Sequence, residues 1–441
     1  MQTFTLDIKR NKYIYLYYLF LHLVCLSWTN TGLVAPPSVL RLAVTFAVFA
    51  PLVKYFWMTP AVIILFVGLR FNSVAPFGYI PQSWNNYCLM ILIIALFHSI
   101  LYKQKSLFKF SRPQILLFFF LFFVDLFNFQ PITPILTFAL SLFVLYNGIN
   151  DKIALNLAMF SFVLLAITLS IYYFIFAKEF MVAYYGSDAE RATWVDPNYF
   201  GVLLGCGIVI SGGYLFSAIP VKISNLYRII FAACVILGFL VITLQASRGA
   251  MLAIASALAI QLLFSKVKWY IKFISILLTA IGLIYLFQSD YFTLLIDRTL
   301  NDDSGGSGRF SIWTRKLEHW SESFWNLFGT GYAGVVTKFR PVNSDCHNEF
   351  VSTIINYGII GIIVMLGAFL KVMIIRRSRA FLWSGLAFLF VAFMTLSPFT
   401  CQTGWTACPL FIVLLYKYIS FDKTRNIVKY HETNSFYPSQ S

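Results

Sequence analysis

The stretch "DCHNEFVSTIINYGIIG" covers residues 345–361 and places a histidine where a polar segment gives way to a long apolar run. Asp345 or Asn348 is expected to cap the helix that starts there. The positive end of that helix disfavours an imidazolium. His347 is therefore expected to be neutral and able to take a proton from a hydroxyl. The competing reading is an interfacial histidine satisfied by its neighbours. His22, His98, His319 and His431 have no comparable setting, and His98 reads as a packed residue inside an apolar run.

Two further stretches carry cations beside apolar runs. "QASRGAML" sets Arg248 between two of them, flanked by Ser247 and Gly249. That pattern predicts a tight hairpin with a guanidinium near the membrane plane. A guanidinium fork suits bidentate phosphate binding; the plainer alternative is an arginine reaching out to lipid headgroups. "DDSGGSGRFSIWTRKLEHW" opens with a flexible Ser/Gly run. Arg309, Trp313 and Trp320 then recur at near-helical spacing, which predicts an amphipathic helix on the membrane surface. The "FGTGYAGV" that follows is a Gly-rich turn without the Lys-Ser/Thr of a phosphate-binding loop.

The elements that position these residues follow from composition. Of 441 residues, 59% are hydrophobic and 11% charged, against roughly 25% charged in soluble domains. The apolar runs are continuous rather than alternating, which argues against a β-barrel. The fold class expected is all-α, a polytopic transmembrane helical bundle of about 12–14 spans with one large extracytoplasmic helical loop. Candidate spans lie near 14–30, 38–53, 57–71, 86–102, 114–127, 131–147, 153–177, 200–217, 227–246, 250–265, 270–288, 350–375, 381–397 and 405–419. The first follows Lys9, Arg10 and Lys12 and shows no cleavage site.

The formal net charge of +16 is explained by the positive-inside rule without any nucleic-acid partner. Lysine and arginine clusters at 9–12, 103–112, 222–228, 266–268, 376–379 and 423–429 all fall on one side of fourteen alternating crossings. That side is expected to be the cytoplasm, with both termini there. The chain then divides into N-terminal spans (1–177), a core (178–375) containing the loop 289–347, C-terminal spans (376–419) and a cytoplasmic tail (420–441). The seven cysteines show no metal-ligand spacing. Cys346 and Cys401 fall in loops on the outer side, where a disulfide is conceivable.

"HNEFVSTIINYGIIG" resembles the O-antigen ligase and polymerase superfamily of bacterial envelope glycosyltransferases. "DPNYFG" at 196–201, "SRGA" around Arg248 and "SGRFSIW" around Arg309 are similar to that family's other signatures, in the same order. The likeness covers roughly residues 190–375. It implies a metal-independent, cofactor-free glycosyltransferase on the outer face of the bacterial inner membrane. The donor implied is a glycan on undecaprenyl diphosphate; the acceptor is a lipid A core or a growing glycan chain. Arg248 and His347 take the catalytic places. Arg309 or Arg315, with Asp196, Asn198 and Asn348, take substrate-binding places. Other polysaccharide-assembly proteins are the partners implied. "SPFTCQTG" in the last outer loop lacks the acidic residue of some ligases, which leaves ligase and polymerase open. The rival class is a flippase or other transporter, which needs ionisable residues within spans. Asp125 is the acidic candidate for that.

Overall fold

The computed structural model describes residues 13, 15–22, 47, 49–71, 84–128, 132–175, 197–245, 247–265, 267–270, 272–273, 309–331, 346–375, 379–396 and 407–434. The protein is an all-α bundle, and no β-strand occurs among the described residues. The helices in chain order are α1 (Thr59–Phe71), α2 (Trp84–Leu101), α3 (Arg112–Phe127), α4 (Ile132–Gly148), α5 (Lys152–Ile175) and α6 (Pro197–Leu215). Then follow α7 (Asn225–Leu244), α8 (Arg248–Phe264), α9 (Arg309–Ser321), α10 (Glu349–Met373), α11 (Arg379–Thr395) and α12 (Ala407–Asn434).

Short polar residues start several of these helices. Ser111 and Gln114 form a capping box at α3, with the Ser111 backbone N–H donating to Gln114 Oε1 at 2.8 Å. Asp151 accepts from the Ala154 N–H at 2.7 Å ahead of α5. Among the described residues, four helices are long and apolar enough to cross a membrane: Lys152–Ile175, Asn198–Leu215, Asn225–Leu244 and Glu349–Met373. Shorter apolar helices, among them Arg248–Phe264 and Ala380–Thr395, surround them. In this setting each helix satisfies its own backbone, so lateral packing decides the architecture. Most of the expected span 270–288 and most of the loop 289–347 lie outside the described residues.

The main core runs through the bundle. Phe162 on α5, Phe388 on α11 and Phe411 on α12 are fully buried and meet edge to face. α8 lies along α11, and α6 lies along α5 and α7. Gln261 ties three of these helices together: its Nε2 donates to Val209 O (2.8 Å) and Ser384 Oγ (2.9 Å). A second, separate cluster joins Cys346, Val351 and Ile355 to Trp313, Leu317 and Trp320.

α10 departs from the straight span expected over 350–375. Gly358 has φ 64° and ψ −160°, a region open to glycine alone. Thr353 and Met365 would stand ~18 Å apart in a straight helix, yet Thr353 Oγ1 lies 3.8 Å from Met365 Sδ. Phe350 and Phe369 each pack on both Phe390 and Phe393. The chain therefore folds back at Gly358 into two arms, residues 349–357 and 359–373. The first arm is largely buried, whereas Ile359, Ile363 and Leu370 on the second are exposed.

The break leaves carbonyls without helical partners, and the Gly-rich turn supplies donors. Thr330 N–H and Oγ1 both donate to Ile355 O (2.9 and 3.0 Å), and Gly331 N–H donates to Asn356 O (2.9 Å). Gly329 has φ 96°, and a Cβ there would run into the backbone of Asn356 and Tyr357. Asn128, just past α3, donates from Nδ2 to Gly329 O at 3.0 Å and holds the turn from the other side.

Candidate active site

Arg248 is the first residue of α8 and is partly exposed. Ser247 occupies the N-cap but makes no cap hydrogen bond. Its hydroxyl instead donates to Asn198 Oδ1 on the first turn of α6, at 2.9 Å. Gly201 permits this close approach, because a Cβ there would lie 2.5 Å from Ala250 Cβ and 3.3 Å from Ser247 Oγ. On the other side of α8, a Cβ at Gly249 would lie 2.7 Å from Thr395 Oγ1. Arg248 thus stands where α6, α8 and the last turn of α11 meet. The positive end of α8 carries no side-chain cap beside its guanidinium, a setting that favours an anion.

The amphipathic helix α9 reaches the same place from the long loop. Arg309 Nη1 donates to Thr395 O at 3.2 Å. Trp313 Nε1 donates to Cys346 O at 2.6 Å. Arg315 behaves differently. It is exposed, and it donates to Ser311 O (3.2 Å) and Ser311 Oγ (3.4 Å) on its own helix. Of the two arginines considered for the loop, the structure brings Arg309 to the junction.

The histidine arrives by α10. Asn348 is the N-cap: its Oδ1 accepts from the Phe350 N–H (2.9 Å) and the Val351 N–H (3.1 Å). Its Nδ2 points the other way, toward Met394 O at 3.5 Å. His347, immediately before it, has φ 48° and is partly exposed. Three sequence segments spread over about 100 residues, at Gly249, Arg309 and Asn348, therefore converge on Met394 and Thr395 at the end of α11. A guanidinium, an imidazole and an uncapped helix start lie among them. Such a set can hold a phosphate-type anion and accept a proton from a nearby hydroxyl.

Some participants were not visible beforehand. The carbonyls of Met394 and Thr395 have no sequence signal, since any residue carries one. Lys316 and Glu349 are fully buried; Glu349 Oε1 accepts from Thr353 Oγ1 at 3.2 Å. An ionisable residue opening an apolar run was the available clue to Glu349. Asp196 and Cys401 lie outside the described residues, and Cys346 is fully buried. Among the described residues no group of three His, Cys, Asp or Glu side chains is arranged to hold a metal ion.

Residues 233–366 match the family model described as O-antigen ligase. The match takes in Arg248, Arg309 and His347, and supports the superfamily that the motifs resemble. It supports an O-antigen ligase-like membrane glycan-transfer function. No curated protein matches the chain.

Proposed function

We propose that the protein is a glycosyltransferase that moves a glycan from undecaprenyl diphosphate to a sugar hydroxyl during surface polysaccharide assembly. The observation that carries this reading is that Arg309, together with Gly249 beside Arg248 and Asn348 beside His347, meets Met394 and Thr395 at the end of α11. The bond between sugar C1 and the diphosphate oxygen breaks, and its electron pair leaves with the lipid diphosphate. Arg248 meets that growing negative charge, and preorganised charge stabilisation of this kind is usually the largest catalytic contribution. The acceptor oxygen bonds to C1 and gives its proton to the His347 imidazole. Such general-base assistance contributes roughly 10²–10⁴-fold. The diphosphate ester is already activated, so the reaction asks for no nucleotide, cofactor or metal.

In this reading the site opens on the outer face of the bacterial inner membrane, with both termini in the cytoplasm. A cysteine introduced at Ser307 is then labelled from outside, and one at Ser106 only from within. The acceptor is either a lipid A core or a second lipid-linked chain.

The test is product analysis with purified protein in nanodiscs. Supplied with an undecaprenyl-linked oligosaccharide alone, a polymerase lengthens it; a ligase acts only when lipid A core is added. His347→Ala is expected to abolish transfer with donor binding kept. Arg248→Ala is expected to weaken both, and Arg248→Lys to restore little, because an ammonium cannot reproduce the guanidinium fork. A chelator is expected to change nothing. Movement of the lipid-linked glycan across liposomes without any new glycosidic bond would favour the transporter instead.

A further inference from the structure

His347 sits at φ 48°, a left-handed conformation uncommon outside glycine, though histidine adopts it more readily than most residues. The residues on both sides of it are anchored, Cys346 through its carbonyl and Asn348 through its side chain. On one side Cys346 O accepts the Trp313 indole N–H at 2.6 Å, a short bond. On the other, Asn348 caps its helix through Oδ1 and reaches Met394 O through Nδ2. Met394 adjoins Thr395, whose carbonyl accepts from Arg309 on the helix that carries Trp313. The anchors form a closed ring: α9 to Cys346, Asn348 to α11, and α11 back to α9. His347 lies inside that ring.

We infer that Trp313 is a positioning residue for His347: its indole N–H fixes the Cys346–His347 peptide and so aims the imidazole. This rests on the reading of His347 as the base. Apolar packing against Cys346, Val351 and Ile355 holds α9 in place, but that force has no direction. A hydrogen bond has one, and a displacement of about 1 Å at a reacting group costs roughly a hundredfold in rate.

The same helix supplies the control. Trp320 belongs to the same cluster, and its Nε1 is buried with no acceptor among the described residues. Trp313→Phe and Trp320→Phe each keep an aromatic ring and remove one indole N–H. Only the first removes a bond to the histidine's peptide.

The experiment compares the two variants with the unmodified protein and with His347→Ala, in nanodiscs, reading kcat and donor KM separately. Trp313→Phe is expected to lower kcat about ten- to a hundredfold with donor KM unchanged. Trp320→Phe is expected to leave both near their starting values. Should Trp313→Phe fold poorly, a benzothienylalanine at 313 keeps the bicyclic shape and replaces the N–H by sulfur; the same fall in kcat is expected. Equal effects of the two Phe variants on kcat would overturn the inference, as would a loss confined to donor KM. Near-normal transfer by His347→Ala is a separate result, and would remove the base assignment itself.

Discussion

Arg248 and His347 adjoin residues that meet at the end of α11, but they stand on different foundations. α8 is set into the main core by small residues and close backbone approach. Ala250, Ala253 and Ala257 are fully buried, and Gly201 and Gly249 admit neighbours that a Cβ would push away. His347 is held by single hydrogen bonds and by a small separate cluster that α9 completes. Close packing tolerates little displacement. A ring of discrete bonds can open at one link and leave the bundle standing. The cation is thus built into the scaffold, and the imidazole is attached to it.

That contrast can be broken at several points. Gly358→Val is expected to have the largest effect. Its φ of 64° excludes a branched side chain, and a Cβ would strike the Leu327 carbonyl. Backbone strain alone costs ~1–3 kcal/mol, and the clash adds to it. The expected outcome is loss of transfer with little loss of folded bundle, read by activity and by size-exclusion profile in detergent. Collapse of the whole protein would mean that the second foundation is not separable from the first.

Gly201→Val comes next, with overpacking of about 1–3 kcal/mol. Because it wedges α6 from α8, melting temperature and donor affinity are expected to fall together. Asn348→Ala follows: loss of a helix cap costs ~1 kcal/mol, and the Met394 link goes with it. Here kcat is expected to fall while donor affinity holds; the reverse pattern would put Asn348 in contact with donor. Arg315→Ala is the smallest. The side chain is exposed and bonded only to its own helix in the contacts described above, so stability should stay within about 0.5 kcal/mol. A transfer rate far below the unmodified protein's would place Arg315 on substrate.

Much of the first foundation was legible from the residues. The hairpin expected at 227–246 and 250–265 appears as Asn225–Leu244 and Arg248–Phe264, because polar punctuation between two apolar runs leaves few alternatives. Asn348 caps α10 as one of the two candidates offered, and Arg309 and Trp313 lie on the helix their spacing predicted. The second foundation was not legible. Residues 350–375 are apolar throughout, and glycines are common in membrane spans, so nothing marked Gly358 as a reversal. Its meaning depends on Thr330 and Gly331 donating to carbonyls some 25 residues away, and no local pattern encodes that pairing. The role of Thr395 was hidden for a similar reason, since its contribution to Arg309 is a backbone carbonyl.

The reversal at Gly358 also bears on how the protein breathes. A helix shorter than ~12–15 residues is marginal on its own, and the arm over residues 349–357 is well below that length. It owes its persistence to partners elsewhere in the chain, so it forms a cooperative unit of low opening free energy. Its amides should exchange with deuterium before those of α8, in one step with residues 329–331. The histidine would then be present in its working pose for only part of the time in the resting protein, and a ligand that binds this pose would raise that fraction.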